Sequence, residues 1–440
     1  MMRLASECSR SRLAILPAGY GHRLLVALGI LICSVMAGSS AMAQQLEGPV
    51  RIGLVRPTLD GASELMAPVI RSVDQGAVMA EEEFGFNASM FGFDFAVIQR
   101  EAQGADVVSA AQQLVADEGI FALAGGFDGE EAELLSSWAQ DNEIPFINLL
   151  ASDDALRNRT CGPMMFHIAP SDAMYLDALS GWYVRAGFRS WFTLVADTPK
   201  AQARHDRLVW GLDERHFGVR EVGSATLSGD LPPETIAAIR DTEADLVVML
   251  VSPEAQLSTL AALEAERLEI MVTGFPDPAA QTRAFFMQSA ELAPYLGSGM
   301  RATAWEPTLD AYGARELNAR YMQRWGEPME QGGWAAYQAV KAFFEAATFT
   351  SSTDAESVLA HFTAENSVFD VWKGIGTSFR SWDHQLRQPL YLIAIDAAAT
   401  EPRLVGQLVG ELPAIYLPGT DPVERLDQLG DLEAQSTCQH

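Results

Sequence analysis

The chain has 440 residues, of which 48% are hydrophobic, and a formal net charge of -28. That length exceeds what one hydrophobic core usually supports, so two lobes or domains are expected. The strong acidity argues against binding to nucleic acid or to an anionic membrane face, because both need a basic surface.

The first 43 residues have the pattern of a cleavable signal peptide. Four arginines precede the apolar run 24–37, "LLVALGILICSVMA". This run is too short to span a membrane comfortably. The following "AMAQQ" places small residues where cleavage after Ala43 is favoured. We therefore expect residues 1–43 to be removed and the mature protein to be soluble in a bacterial periplasm.

Two cysteines, Cys161 and Cys438, remain after this cleavage. An oxidising compartment favours a disulfide between them, with two unpaired thiols as the alternative. No pair of histidines accompanies either cysteine, so a zinc site is not expected.

The first half of the mature chain alternates strand and helix patterns. Four apolar, strand-like runs are separated by segments of helical period. The strands are expected at 50–55, 93–99, 120–126 and 145–150, and the helices at 68–84, 105–119 and 130–143. Strands this continuously apolar predict a parallel sheet covered on both faces.

A second series of the same kind follows the motif "FHIAPSD" (166–172). Its helices are expected at 173–187, 200–214, 232–241 and 253–269, and its strands at 191–197, 219–227, 244–252 and 270–277. Further helices are predicted at 317–326 and 334–347, and a hairpin ending in a buried strand at 371–396. Two similar α/β lobes without a flexible linker predict a cleft at their junction.

Four segments in this order resemble the type I periplasmic binding proteins of the Leu/Ile/Val class, over about residues 50–396. They are "PFINLLASDDAL", "FHIAPSD", "RYMQRWGEPMEQGGWAAYQAVKAFFEA" and "FDVWKGIGTSFRSWDHQLRQPLYLIAI". The resemblance implies an α/β fold with two Rossmann-like lobes joined by a three-strand hinge, an ABC transporter permease as partner, and neither cofactor nor catalysis. It also implies a division into lobe one (50–166 and about 296–348), lobe two (167–295 and about 349–416) and an acidic tail (417–440).

A narrower resemblance rests on "SWDHQLRQPLYL" and "CGPMMFHIAPSDAMYLDAL". Both are similar to the branch associated with alcohol dehydrogenase systems that depend on pyrroloquinoline quinone (PQQ). This resemblance implies a link to alcohol oxidation, with a metal or lanthanide species or a small alcohol-related molecule as ligand. A periplasmic accessory or sensor protein that partners a dehydrogenase or a membrane receptor, and an amino-acid-binding protein, remain alternatives.

One departure from the family bears on the ligand. Amino-acid binders of this class place Ser or Thr at the start of the third helix, where it holds the ligand carboxylate. This chain has Phe127, Asp128 and Gly129 there. Because a carboxylate at that place repels another carboxylate, a simple α-amino acid is disfavoured as ligand.

Most candidate ligand residues follow predicted strand ends, which face the cleft in parallel sheets. They are Asp60, Phe127, Asp128, Ser152, Asp153, Asp197, Asp277 and, by family position, Trp305. The competing interpretations are helix caps for Asp128 and the 152–153 pair, turn residues for the other aspartates, and core packing for Trp305.

If several of the aspartates converge, the cleft is acidic and favours a metal cation or a cationic organic ligand. Signatures of common enzyme classes, such as H-E-x-x-H, G-x-S-x-G and G-x-x-x-x-G-K, do not occur in the sequence, so we predict no enzyme.

Overall fold

Two parallel sheets and one antiparallel sheet organise the computed structural model, which describes residue 46, residues 48–414 and residues 419–438. The predicted signal peptide lies outside the described residues. The strands are β1 (Val50–Arg56), β2 (Phe95–Glu101), β3 (Ala122–Gly125), β4 (Phe146–Asn148), β5 (Met165–His167), β6 (Ser190–Ala196), β7 (Arg220–Leu227), β8 (Leu246–Leu250), β9 (Met271–Gly274), β10 (Met300–Thr303), β11 (Leu390–Ile395) and β12 (Gly406–Leu412).

Twelve α-helices cover these sheets in the described part of the chain. They are α1 (Met66–Phe91), α2 (Asp106–Gln113, continued by a π-helical turn at Leu114–Glu118), α3 (Gly129–Asp141), α4 (Asp172–Ala186), α5 (Pro199–Arg215), α6 (Pro233–Asp241), α7 (Pro253–Ala265), α8 (Arg283–Leu292), α9 (Ala314–Trp325), α10 (Gln331–Thr350), α11 (Ala355–Thr363) and α12 (Pro422–Leu426).

The first lobe is built on a parallel sheet with strand order β2-β1-β3-β4-β5. Successive side chains along each strand face opposite sides. Ile147 and Phe166 therefore enter the core shared with α1 and α10, whereas Phe146 and Met165 enter the core shared with α2 and α3. The predicted parallel sheet with two covered faces is confirmed. Residues 165–167, for which no strand was predicted, form its edge strand.

Helices α1 and α10 approach each other closely in this lobe. A Cβ on Gly76 would lie 2.1 Å from the carbonyl oxygen of Gly333, so the contact requires glycine at position 76. The hydroxyl of Ser72 accepts a hydrogen bond from the Gly333 amide at 2.8 Å. Small residues thus set how deeply α10, which is buried over most of its length, enters the first lobe.

The second lobe combines a parallel sheet, β7-β6-β8-β9, with the antiparallel sheet β10-β11-β12. Leu390 and Leu392 of β11 share a core with Trp191 and Leu246 of the parallel sheet. Strand β10 belongs to this lobe, and the chain returns to the first lobe only at α9. The return therefore lies later than the boundary near residue 296 that the sequence predicted. Strand β12 was not predicted, because it carries exposed residues along most of its length.

Three crossovers join the lobes, at residues 168–171, 304–313 and 364–389. Buried glutamines connect them. Gln388 donates from Nε2 to the carbonyl of Ile168 at 2.6 Å, and its Oε1 accepts from Lys373 Nζ at 2.7 Å. Lys373 in turn donates to the carbonyl of Ala304 at 2.6 Å. One buried network therefore touches all three crossovers of the predicted hinge.

The C-terminal segment packs back on the protein, and Cys161 and Cys438 are joined by a disulfide as predicted. Within this segment, Leu426 and Leu429 are buried. The predicted acidic tail is therefore partly integrated into the core, since Leu426 of α12 and Leu429 leave solvent.

Candidate functional site

A cleft of about 840 Å³ lies where the carboxyl ends of the parallel strands of the two lobes face each other. The first lobe contributes the loops that follow β1, β2, β3 and β4, and the second lobe contributes the starts of α5 and α7 and residues 277–279. Met66, Ile70, Phe127 and Leu150 give the cleft an apolar wall. Both lobes therefore line one cavity, at the position that α/β proteins use for ligands.

The start of α3 faces this cleft and is occupied by the protein's own carboxylates. Asp128 has extended backbone and accepts the Glu131 amide at 2.9 Å on Oδ1, which makes it the helix N-cap. Glu131 is buried and accepts the amides of Gly104 at 2.9 Å and Phe127 at 3.3 Å. Burial raises the pKa of Glu131, although these two amides counteract the rise. Few donors at this helix start are left for an external anion.

Asp153 connects the lobes directly. Its Oδ2 lies 3.0 Å from Nζ of Lys200 at the start of α5. Burial opposes ionisation here, but the charges of Lys200, Arg204 and Arg157 outweigh it and lower the pKa of Asp153. The carboxylate also packs on Gly129, where a Cβ would lie 2.6 Å from its carboxyl carbon. Asp153 is thus the partner of an interlobe ion pair.

Asp277 lines the cleft with its charge already compensated. The buried guanidinium of Arg204 lies 2.8 Å from Asp277 Oδ1 and 3.2 Å from Asp172 Oδ1. It also contacts Ser152 Oγ at 3.4 Å and stacks 3.5 Å from the centre of the Phe275 ring. The guanidinium thereby joins the end of β4, the start of α4 and the end of β9.

The structure brings together some of the predicted ligand residues and separates others. Asp60, Phe127, Asp128, Ser152 and Asp277 line the cleft, and Asp153 lies beside it.

The other two predicted residues, Asp197 and Trp305, lie away from the cleft. Asp197 is exposed and accepts from the Ser228 hydroxyl at 3.4 Å. Trp305 is buried in the core, where it stacks on Trp334 with ring centres 5.7 Å apart and donates to Asn318. The predicted aromatic ligand wall at Trp305 is therefore wrong, because its ring is enclosed by the first lobe.

Two basic residues of the site, Lys200 and Arg204, were missed from the sequence. They stand four positions apart and thus on one face of α5, a spacing that could have marked them as a pair. The partners of both residues come from distant parts of the chain, so the spacing alone could not name them.

The cleft remains acidic after these pairings are taken into account. Its lining includes four exposed acidic residues that have no lysine, arginine or histidine of the described chain within 4.0 Å; they are Asp60, Asp106, Asp128 and Glu254. Lys200 is the one basic residue among the described lining residues, and it forms an ion pair with Asp153.

Side-chain caps or acidic residues also stand at other helix starts of the cleft. Ser63 Oγ accepts the Met66 amide of α1, and Asp106 begins α2. Ser252 Oγ accepts the Ala255 amide of α7, whose first turn carries Glu254.

The predicted convergence of the aspartates on a metal ion does not occur in the described part of the chain. No group of three or more His, Cys, Asp or Glu side chains there is arranged to hold a metal ion. Asp153 and Asp277 are neutralised by Lys200 and Arg204, and Asp197 lies elsewhere. Among the described helices, none combines the length and apolar character that crossing a membrane requires.

Comparisons with known proteins agree with this architecture. A sequence model of the family described as periplasmic binding protein matches residues 49–400. A search of curated proteins finds no match.

Three solved structures show the same fold at low sequence identity. A branched-chain amino acid ABC transporter ligand-binding protein from Burkholderia xenovorans has a TM-score of 0.75 at 14% identity, covering 88% of this chain and 99% of its own. A branched-chain amino acid transporter substrate-binding protein from Streptococcus pneumoniae, in complex with isoleucine, has a TM-score of 0.64 at 15% identity, covering 82% and 98%. A solute-binding protein from Rhodopseudomonas palustris, in complex with benzoate, has a TM-score of 0.61 at 14% identity, covering 83% and 96%.

Proposed function

This chain belongs to the periplasmic binding protein family, and on that premise we propose that it is the solute-binding component of an ABC importer. The observation that carries the proposal is the cleft lined by both lobes at the carboxyl ends of their strands. A ligand held there contacts both lobes at once. It stabilises the closed form by its differential affinity for that form, and the closed protein is then presented to a membrane permease.

We further infer that the ligand carries positive charge or hydroxyl donors and no free carboxylate. The relatives from Streptococcus pneumoniae and Rhodopseudomonas palustris were solved with isoleucine and benzoate, and both molecules carry a carboxylate. In this chain, Asp128 caps α3 by accepting the Glu131 amide, and the Glu131 carboxylate accepts the nearby amides of Phe127 and Gly104. Besides Asp128, three exposed acids face the same cavity, namely Asp60, Asp106 and Glu254. A ligand carboxylate would be repelled there, whereas a cation would be attracted.

Phe127 and Leu150 supply apolar surface to the same cavity. An organic cation or a polyol with an apolar part fits such a wall better than a bare metal ion does. The metal or lanthanide ligand and the link to PQQ-dependent alcohol oxidation rest on sequence resemblance alone. The same holds for the accessory or sensor role beside a dehydrogenase. Removal of residues 1–43 rests on their signal-peptide pattern.

Thermal unfolding of the mature, metal-stripped protein tests this function. The ligand panel contains primary, poly- and quaternary amines, alcohols, amino acids, aromatic acids, PQQ, calcium and lanthanum. A ligand at 100 times its dissociation constant stabilises the folded state by about 2.7 kcal/mol, which is readable as a melting shift. We expect shifts with cationic or hydroxylated organic molecules.

The control is Asp128→Ser, which keeps a helix cap and removes one negative charge from the cleft. Its shift with the same molecules should be smaller. Shifts confined to amino acids or aromatic acids would contradict the ligand class, and a shift with lanthanum alone would favour the metal. No shift with any member of the panel would favour an accessory protein over a solute carrier.

A further inference from the structure

The C-terminal segment 421–438 is anchored on the second lobe by its first half. Leu429 lies in the core of that lobe. The amide of Gly430 donates to Asp177 Oδ2 at 2.9 Å, and the carbonyl of Gly430 accepts from Arg215 Nη2 at 3.1 Å. Helices α4 and α5 therefore hold the chain firmly at residue 430.

The second half of the segment is attached to the first lobe. Asp431 accepts from Asn158 Nδ2 at 3.2 Å, and the amide of Thr437 donates to Asn158 Oδ1 at 3.3 Å. Cys438 is then bonded to Cys161.

The loop that carries Asn158 and Cys161 follows β4 and packs on α3. A Cβ on Gly162 of this loop would lie 2.7 Å from Ser136 Oγ of that helix. The anchor formed by Asn158 and Cys161 therefore belongs to the first lobe.

This arrangement closes a fourth connection between the lobes, in addition to the three crossovers. The stretch from Gly430 to Cys438 is short, and an extended chain reaches at most about 3.5 Å per residue. Asp431 also lies 3.8 Å from Arg207 Nε on α5, the helix whose first turn carries the cleft residue Lys200. A wide separation of the lobes would therefore extend residues 430–438 and displace α5.

We propose that residues 421–438 form a redox-sensitive strap, whose disulfide limits how far the two lobes separate. Reduction releases the first-lobe end and lets the cleft open wider. Cys161 and Cys438 are both only half-buried, so a reductant can reach them.

The redox step is an ordinary thiol–disulfide exchange. The thiolate of an external dithiol attacks one sulfur and forms a mixed disulfide, and its second thiol then displaces the protein sulfur. Two electrons and two protons pass to the protein. Cys161 and Cys438 become thiols, and the dithiol becomes a disulfide.

Hydrogen exchange of the ligand-free mature protein tests the strap in three forms. These are the oxidised wild type, the wild type reduced with dithiothreitol, and the double variant Cys161→Ser/Cys438→Ser. Residues 149–157 and 199–204 face each other across the cleft. In both forms without the disulfide, we expect amide exchange at these residues to be roughly tenfold faster than in the oxidised wild type. Small-angle scattering should show a larger radius of gyration in the same two forms.

Dithiothreitol should leave the double variant unchanged, which separates the effect of the disulfide from any other effect of the reductant. Reduced wild type serves as the second route if the double variant fails to fold. The proposal is overturned if faster exchange stays within residues 421–438, or if the three forms exchange and scatter alike.

Discussion

The hinge and the cleft use polar side chains in opposite ways. At the hinge, Lys373, Gln385 and Gln388 are buried, and each has hydrogen-bond partners on crossover segments. At the cleft, Asp60 and Glu254 are exposed and have no basic partner within 4.0 Å among the described residues.

This difference separates groups that fix the geometry of the fold from groups that await a ligand. A buried polar group must be paired, because leaving it unpaired costs free energy. An exposed charge has no such requirement. Several unpaired negative charges in a concave site therefore favour the binding of a cation there.

The largest effect should come from Arg204, a buried cation that two acids beside the cleft share. Arg204→Met leaves Asp172 and Asp277 without their shared cation, and we expect the free energy of unfolding to fall by about 3–5 kcal/mol. The matched control is Lys200→Met on the same helix, whose half-exposed pair with Asp153 should contribute no more than about 1 kcal/mol. Urea unfolding of both variants measures the difference, and equal losses would contradict the distinction between the two pairs.

Stability should also depend on pH through two half-buried acids. Loss of hydration raises the pKa of Asp154 to about 7, and the neighbouring Asp172 adds to the rise. Burial likewise raises the pKa of Glu330 to about 7. The folded protein therefore keeps protons that the unfolded chain releases near pH 4, so the free energy of unfolding should fall as pH rises from about 4 to 7 and level off above.

Asp154→Asn tests the share of one acid in this pH dependence. Asparagine still offers an oxygen to the Ala173 amide, which Asp154 Oδ1 accepts at 3.0 Å. Each pKa unit corresponds to about 1.4 kcal/mol, so the variant should lose up to about 4 kcal/mol of the pH dependence. Melting temperatures from pH 4 to pH 8 measure it, and an unchanged slope would show that Asp154 is already ionised in the folded protein.

The hinge network should respond to the loss of a single amide. Gln388→Leu removes the acceptor of Lys373 and the donor to Ile168, and should cost about 1–3 kcal/mol. Gln407→Leu is the control, because that glutamine is exposed on β12 and should change stability by less than about 0.5 kcal/mol. If both variants unfold at the same urea concentration, the buried network does not stabilise the hinge.

The variant Asp128→Ser should have the smallest effect on stability but should change which ligands bind. Asp128→Ser replaces one good helix cap by another, so we expect a change of less than about 0.5 kcal/mol in the free energy of unfolding. The variant should bind carboxylate ligands better than the wild type does, because the like charge is gone. Titration with isoleucine and benzoate measures this gain, and a large loss of stability without it would make Asp128 purely a cap.

Much of the fold could be predicted from the sequence because its signals are local. Apolar runs and helical periods predicted the alternating strands and helices of both lobes and their parallel sheets. The edge strand β5 escaped prediction, since three residues carry no periodicity, and β10 was placed in the wrong lobe, since strand pairing is a long-range property.

The site could be predicted only in part for the same reason. Asp128 follows a Gly-Gly turn, and its capping role was foreseen as an alternative to ligand contact. The basic partners of Asp153, across the cleft, and of Asp277, within the second lobe, come from α5, and no local pattern states which loop a helix will meet. Trp305 was placed by family position, and its stacking on Trp334 depends on packing of the first lobe.

The central claim is that the cleft prefers a cation to a carboxylate. Calorimetric titration with matched pairs tests it most directly, each pair being an amino acid and the amine that lacks only its carboxyl group, such as leucine and 3-methylbutylamine. We expect the amine of each pair to bind more tightly than the corresponding amino acid. This difference in affinity should shrink in Asp128→Ser and at high salt. Binding of an amino acid whose amine does not bind would contradict it.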